Sequence, residues 1–408
     1  MKVLVLTTTF PRWKGDSTPA FVYELSKRLR NEGLEIVVLA PHYEGAKFYE
    51  EMEGLKVYRF PYFYPTKYQR LCYGGGILSN LKRSKLTRIQ SPLLFLSELY
   101  YAIRIINEEK IDIVHSHWIP NGLVGAFCKK ILNKPLIVSV HGSDLIFLNN
   151  GFLKYLGLFI LKNCDLCSVN STATRDSVIS KKIVKKLKII PMGVDLNLFN
   201  PDTVSKINKT PITDDLVILT VGRLSEEKGI KFLIEAMPAI LKDIPAVKLM
   251  IVGDGPERKN LEQIVKRYDL TNVIFVGTVL NEDMNKFYKK ADVFVLPSLR
   301  EGLGVVLLEA MACGIPVIGS NIGGITDIIR NKENGLLVEP ENPKDIADKI
   351  IMLLSEEKLK QKFSKNGLET VKEKFSWDVV INRFVEVYNS LFISYYLHKC
   401  SSNMSDSS

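Results

Sequence analysis

Two doubly wound α/β domains are what this sequence predicts, and three observations predict them. Short apolar runs alternate with longer amphipathic stretches along the whole chain, in a strand, helix, strand rhythm. The strand candidates are apolar at successive positions instead of alternate ones, which marks parallel sheets covered on both faces. At 408 residues the chain suits two cores of common size. With 46% hydrophobic and 25% charged residues it can bury both, and general disorder is excluded.

The first set of strand candidates covers residues 3–6, 36–39, 111–115, 136–140, 166–169 and 187–190. The second covers 216–221, 248–252, 273–276, 293–296, 316–318 and 336–338. M-K-V-L-V-L-T-T-T-F is too short an apolar run for a signal peptide and reads as a first buried strand. No eighteen-residue apolar stretch occurs, so no membrane span is expected. After it, Ser17 or Thr18 can cap a helix with Pro19 in its first turn, and Phe21, Val22, Leu25 and Leu29 form the apolar stripe. Residues 192–211 are rich in turn formers and are expected to link the domains. A last helix, 377–397, carries Val380, Phe384, Val387 and Leu391 on one side. The expected organisation is a first domain over 1–195, a second over 196–377, a helix over 378–398 packing back toward the first, and a disordered tail over 399–408. Ligands should sit at the carboxyl ends of the strands, in the cleft.

Charge is uneven. The first 200 residues carry 28 Lys and Arg against 16 Asp and Glu, and the remainder 27 against 29. One basic patch, Lys82, Arg83, Lys85 and Arg88, precedes the apolar run P-L-L-F-L-S-E-L-Y-Y; another is Lys181, Lys182, Lys185, Lys186 and Lys188. Cations beside an apolar stretch suit an anionic membrane surface, with a solvated helix face as the other reading. No nucleic-acid-binding signature accompanies the charge, so nucleic acid is not expected as a partner. Of the six cysteines only Cys164 and Cys167 are close in sequence; nothing completes a zinc set, and they read as small buried hydrophobes of a reduced, cytoplasmic chain. His115 and His117 in V-H-S-H-W face one side of a strand, but no third ligand is evident, so with Trp118 they read as cleft-lining or structural.

The chemistry concentrates in the second half. In V-G-R-L-S-E-E-K-G-I a strand ends at Gly222, Arg223 and Lys228 follow in a loop, and a helix begins near Gly229. Two cations and a helix N-terminus then meet at a sheet's carboxyl edge, as a pyrophosphate requires. In R-E-G-L-G-V-V-L-L-E-A, Gly302 and Gly304 allow close backbone approach at the start of a second helix. Glu309, flanked by apolar residues, needs a dedicated partner: a ribose diol, whose two hydroxyls a carboxylate can accept, or an ion pair. Glu301 lies in the loop before that helix and reaches the cleft separately.

These segments, P-S-L-R-E-G-L-G-V-V-L-L-E-A-M-A-C-G-I-P-V-I, G-R-L-S-E-E-K-G and V-G-D-G-P-E-R, resemble the retaining nucleotide-sugar glycosyltransferases of the GT-B fold, family GT4. V-H-G-S-D at 140–144 and G-V-D-x-x-x-F at 193–199 match too, so the resemblance spans nearly the whole chain. It implies two Rossmann-like domains facing across a cleft and hexosyl transfer from a UDP- or GDP-linked sugar. The acceptor would be a glycan, polysaccharide precursor or lipid-linked molecule, at the inner face of the cytoplasmic membrane. By the same resemblance Arg223 and Lys228 bind the diphosphate, with the amides of Leu303 and Gly304. Glu309 binds the ribose, Val279 the base through its backbone, and Glu301 the sugar hydroxyls. His141 projects toward the transferred sugar, and Gly15 approaches the phosphates from the other side. This loop has W-K-G-D-S-T-P where the family often has a glycine pair. No Asp-x-Asp motif occurs, so no obligatory metal is expected. A transferase for a small soluble acceptor, and a catalytically silent nucleotide-sugar-binding partner, are the alternative readings.

Overall fold

The computed structural model describes all residues except 17–20, 75–76, 78–79, 82–83, 150, 182–183, 185, 202–215 and 406–408, and no side chain at 152 or 398–405. The caps expected at Ser17 or Thr18, Pro19, the cations Lys82, Arg83, Lys182 and Lys185, the second half of the expected linker and the end of the tail lie outside the described residues. Two compact units result: 1–170, 174–190 and 381–408 in the first, 171–173 and 191–380 in the second.

The first unit holds strands β1 (Lys2–Leu6), β2 (Glu35–Pro41), β3 (Tyr49–Met52), β4 (Leu55–Phe60), β5 (Ile113–His117), β6 (Leu136–Val140), β7 (Leu166–Val169) and β8 (Leu187–Ile189). Their order is β3-β4-β2-β1-β5-β6-β7-β8, and every pair is parallel except β3–β4. The parallel strands are nearly continuous apolar runs because both faces are covered: Leu4, Leu6, Val37 and Leu39 are buried on one face, and their neighbours Val3, Val5, Ile36 and Val38 on the other. β3 and β4 correct the sequence expectation, which has neither. Their hairpin turns at Glu53 and Gly54, both with positive φ, and β3 is a polar edge strand without the apolar run of a core strand.

In the second unit β9 (Val217–Val221), β10 (Lys248–Val252), β11 (Val273–Gly277), β12 (Val293–Leu296), β13 (Val317–Ser320) and β14 (Leu336–Val338) form an all-parallel sheet in the order β11-β10-β9-β12-β13-β14. The order reverses direction between β9 and β12. Loops leaving the carboxyl ends of these two neighbours diverge to opposite faces, and the crevice they leave is where such sheets take ligands. The start of the expected linker is built into this unit: Val194 bridges to Ser376, and Val194 and Phe199 are both buried.

Two helices have unusual surfaces. The helix Lys85–Glu108 is apolar on two opposite faces. Leu94, Ala102, Ile105 and Ile106 enter the core, whereas Ile89, Leu93, Leu96 and Tyr100, spaced three and four apart, are exposed behind the exposed Lys85 and Arg88. The helix Trp377–Ser405 begins in the second unit and joins the first from residue 381, where Phe384, Val387, Tyr388 and Leu391 are buried. Among the described residues no single helix is long and apolar enough to cross a membrane; the bent pair Ser143–Asn149 and Leu153–Asn163 is so by length and composition only.

Candidate active site

At the second unit's crevice the site is built from two loops locked together by backbone. After β9 come Gly222, Arg223, a short turn Glu226–Lys228 and the helix Ile230–Asp243; after β12, residues 297–304 lead into the helix Val305–Ala312. The Glu227 carbonyl accepts the amides of Leu299 (2.8 Å) and Arg300 (3.3 Å). Gly229 has φ +61°, and a Cβ there would lie 2.1 Å from the Pro297 oxygen. On the far side Gly323, φ +49°, passes the Glu301 oxygen so closely that a Cβ would lie 2.3 Å from it, and the Gly324 amide donates to that oxygen at 3.2 Å. Such contacts admit only glycine.

The clamp sets Lys228 Nζ 2.6 Å from Glu301 Oε2, which also accepts from Ser298 Oγ at 3.3 Å. Both side chains keep some solvent access, 21% for Lys228 and 14% for Glu301. Leu303 and Gly304 form the turn that opens Val305–Ala312, whose cap, Gly304 at φ +95°, provides no side-chain acceptor for the first amides. Arg223, exposed, stands at a recess it lines with Val221, Gly222, Val252, Gly253, Asp254, Thr278, Val279 and Met284.

Glu309 is held apart from this ion pair. Its Oε2 accepts the hydroxyl of Tyr288 at 2.7 Å, so the dedicated partner is a phenol, and the ion pair considered from sequence is not what the structure has. Burial pushes the Glu309 carboxyl up to about 7, and the Tyr288 bond opposes that rise.

In the first unit β5 and β6 bring three imidazoles together, a contact with His141 that the sequence reading of His115 and His117 did not include. The rings of His115 and His117 are 4.3 Å apart, and His117 stacks on His141 with Nδ1 3.1 Å from His141 Nε2. His115 is bonded to Tyr388 Oη and Ser139 Oγ, both at 2.7 Å. Burial holds His115 and His141 down to about 3, and His117 well below its ordinary range, so the cluster is neutral at physiological pH. Asp144 fixes the His141 loop, accepting the amides of His141 (3.0 Å) and Ile119 (2.8 Å). Gly15, φ +79°, sits in a turn closed by Arg12 and Asp16 with open space where a Cβ would be. Cys164 and Cys167 are both buried. Among the described residues no group of three His, Cys, Asp or Glu is arranged to hold a metal ion.

The structure thus joins Lys228 to Glu301, puts Arg223 and Val279 on one recess, and leaves Glu309 with Tyr288. Sequence reasoning missed Tyr288, Ser298, Gly323 and Asp144. The Gly-Gly pair at 323–324 and the serine of P-S-L-R-E were visible signals; nothing local pointed to Tyr288.

The architecture is that of the GT-B glycosyltransferases. The fold matches sucrose-phosphate synthase of Thermosynechococcus elongatus with a TM-score of 0.81 at 24% identity, over 96% of this chain and 99% of that one. It matches HepE of Anabaena, in complex with UDP and glucose, with a TM-score of 0.73 at 20% identity, over 96% and 100%. In sequence, residues 203–370 match the family model for glycosyl transferases group 1, and residues 19–198 that for Glycosyltransferase Family 4. An uncharacterized glycosyltransferase of Methanocaldococcus jannaschii is 30% identical over 95% of this chain and 98% of its own. The capsular polysaccharide biosynthesis glycosyltransferase CapM of Staphylococcus aureus is 31% identical over 72% and 81%. The chain belongs to the GT4 family and is a glycosyltransferase, an enzyme of the EC 2.4 type.

Proposed function

We propose that the protein transfers a hexose, with retention of configuration, from a UDP- or GDP-linked sugar to a glycan, polysaccharide precursor or lipid-linked acceptor. The observation that carries the reading is the Lys228–Glu301 pair, set beside the uncapped N-terminus of Val305–Ala312. As the bond from the sugar's C1 to the diphosphate breaks, charge grows on the leaving oxygen. Lys228, Arg223 and the amides of Leu303 and Gly304 stabilise that charge through fixed donors, which is the strongest general source of catalysis for such a step. The acceptor oxygen forms its bond to C1 on the face the diphosphate leaves, and the departing phosphate takes the acceptor's proton. Glu301 holds sugar hydroxyls, Glu309 the ribose, and Val279 the base through its backbone. Gly15 and His141 are the first unit's contributions to donor and sugar; a neutral His141 suits a hydrogen-bonding role.

The exposed face of Lys85–Glu108 supports a peripheral place at the inner, anionic face of the cytoplasmic membrane, where lipid-linked acceptors occur. Its cations, Lys85 and Arg88, suit lipid headgroups, and Ile89, Leu93, Leu96 and Tyr100 suit the acyl boundary. Calorimetric titration with UDP and GDP, followed by a screen of their hexose conjugates with the anomeric proton of the product read by NMR, tests the reading. Absence of binding to either nucleotide overturns the donor, and an inverted product overturns retention.

A further inference from the structure

We propose that Tyr288 is the positioning residue of the ribose site: its buried hydroxyl donates to Glu309 Oε2 and keeps that carboxylate turned and charged for a nucleoside's vicinal diol. The inference rests on the ribose-binding role proposed for Glu309. Tyr288 is fully buried, with its ring between Phe199 (centroids 5.8 Å apart, near-perpendicular) and Phe294 (5.9 Å). Such packing fixes where the hydroxyl can point. A phenol has one hydrogen, and of the two acceptors in range, Glu309 Oε2 at 2.7 Å and the Val306 carbonyl at 3.4 Å, the charged and nearer one takes it.

The same segment frames the neighbouring recess, because Met284, four residues before Tyr288, lines it with Thr278 and Val279. One span of chain therefore shapes the recess and sets the carboxylate.

A diol needs the charged carboxyl: both oxygens then accept, whereas protonation converts one into a donor. Burial favours the neutral form of Glu309, and the Tyr288 bond is the influence acting against it. The other titratable neighbours are Cys313, whose thiol is pushed up to about 12 by burial and by the Glu309 charge, and Lys289, whose charge opposes that shift at Cys313. Held that high, the Cys313 thiol stays uncharged near neutral pH. Removing the hydroxyl should therefore move the pH at which nucleotide binding is lost, without removing the site.

The test is calorimetric titration of the full-length protein with UDP and with GDP from about pH 6 to about pH 9, using wild type, Tyr288→Phe, Glu309→Gln and the double variant. In Tyr288→Phe we expect affinity within about threefold of wild type at the alkaline end and about tenfold weaker at neutral pH, the midpoint rising by about one unit. The ligand's own phosphate titration is common to all four proteins and cancels in the ratios. In the Glu309→Gln background Tyr288→Phe should change affinity by less than about twofold. Wild-type affinity should also fall on acidification more steeply than that of Glu309→Gln, a readout that does not depend on the Tyr288 variant folding. Weakening by the same factor at every pH, or equal losses in both backgrounds, would mean that Tyr288 only supports the fold and overturns the inference. If Glu309→Gln weakens binding while Tyr288→Phe matches wild type throughout, the positioning role fails and the ribose reading stands. If Glu309→Gln matches wild type, both fail.

Discussion

The loop after β12 and the loop after β1 occupy equivalent places, each leaving the carboxyl end of a strand beside the point where its sheet's order turns, yet they are held by different means. Residues 297–304 are fixed by backbone: Glu227 accepts two of their amides, and Gly229 and Gly323 press against their carbonyls from either side. Residues 10–16 are fixed by side chains. Arg12 forms a two-pronged bond to Asp16 and lies over the rings of Trp13, Tyr43 and Tyr73, at 4.5, 4.6 and 5.4 Å. A backbone clamp needs glycines at fixed offsets and tolerates almost nothing else; a side-chain clamp can be rebuilt from other residues.

Four measurements put that contrast at risk. The largest effect is expected for Gly229→Ala, which meets both a disfavoured φ and a carbonyl: a loss of about 4 kcal/mol in denaturant unfolding. A loss below about 1 kcal/mol would mean the loop yields and is not clamped. Next is Arg12→Ala, which takes the guanidinium from the Asp16 carboxylate while the bond from the residue-12 amide remains, for about 2 kcal/mol; Gly15→Ala beside it, with open space, should cost only about 1 kcal/mol.

A third measurement concerns titration in the first unit. Burial pushes the Glu98 carboxyl up to about 8 from an ordinary value of 4.5. A folded-state value above the unfolded one makes its contribution full below about pH 4.5 and progressively lost up to about pH 8. Glu98→Gln should therefore gain roughly 4 kcal/mol on wild type between the two ends of that window, read as melting curves against pH. Parallel curves would show Glu98 to be ionised in the fold. The buried histidines work in the opposite sense: His115 and His141, held at about 3, lower stability as pH falls below about 6.5. Smallest in stability is the exposed face of Lys85–Glu108. Replacing Leu93 and Leu96 by serine should change unfolding by less than about 0.5 kcal/mol, yet lower flotation with phosphatidylglycerol vesicles about fivefold or more. Unchanged flotation would remove the membrane reading.

The same contrast explains what was legible in the sequence. Strands such as 136–140, 248–252 and 293–296 were readable because burial on both faces writes an unbroken apolar run, and G-R-L-S-E-E-K-G and P-S-L-R-E-G-L-G were readable because a backbone-built site leaves few choices of residue. The β3–β4 hairpin was missed since Tyr49–Met52 is a polar edge whose signal was only the Glu53–Gly54 turn. Tyr288 and the His117–His141 contact were missed because each partner lies more than twenty residues away, and neither ring's neighbourhood announces it.

The helix Trp377–Ser405 has a consequence for how the protein is made. Its later turns supply Tyr388 to His115, and Tyr396, whose hydroxyl donates to Asp112 at 2.9 Å, to the start of β5. During synthesis the first unit leaves the ribosome early but waits for these residues, which emerge only after the whole second unit. His115 therefore gains its tyrosine partner only after the residues of the second unit have been made, so the first unit's last contacts form out of the order of the sequence.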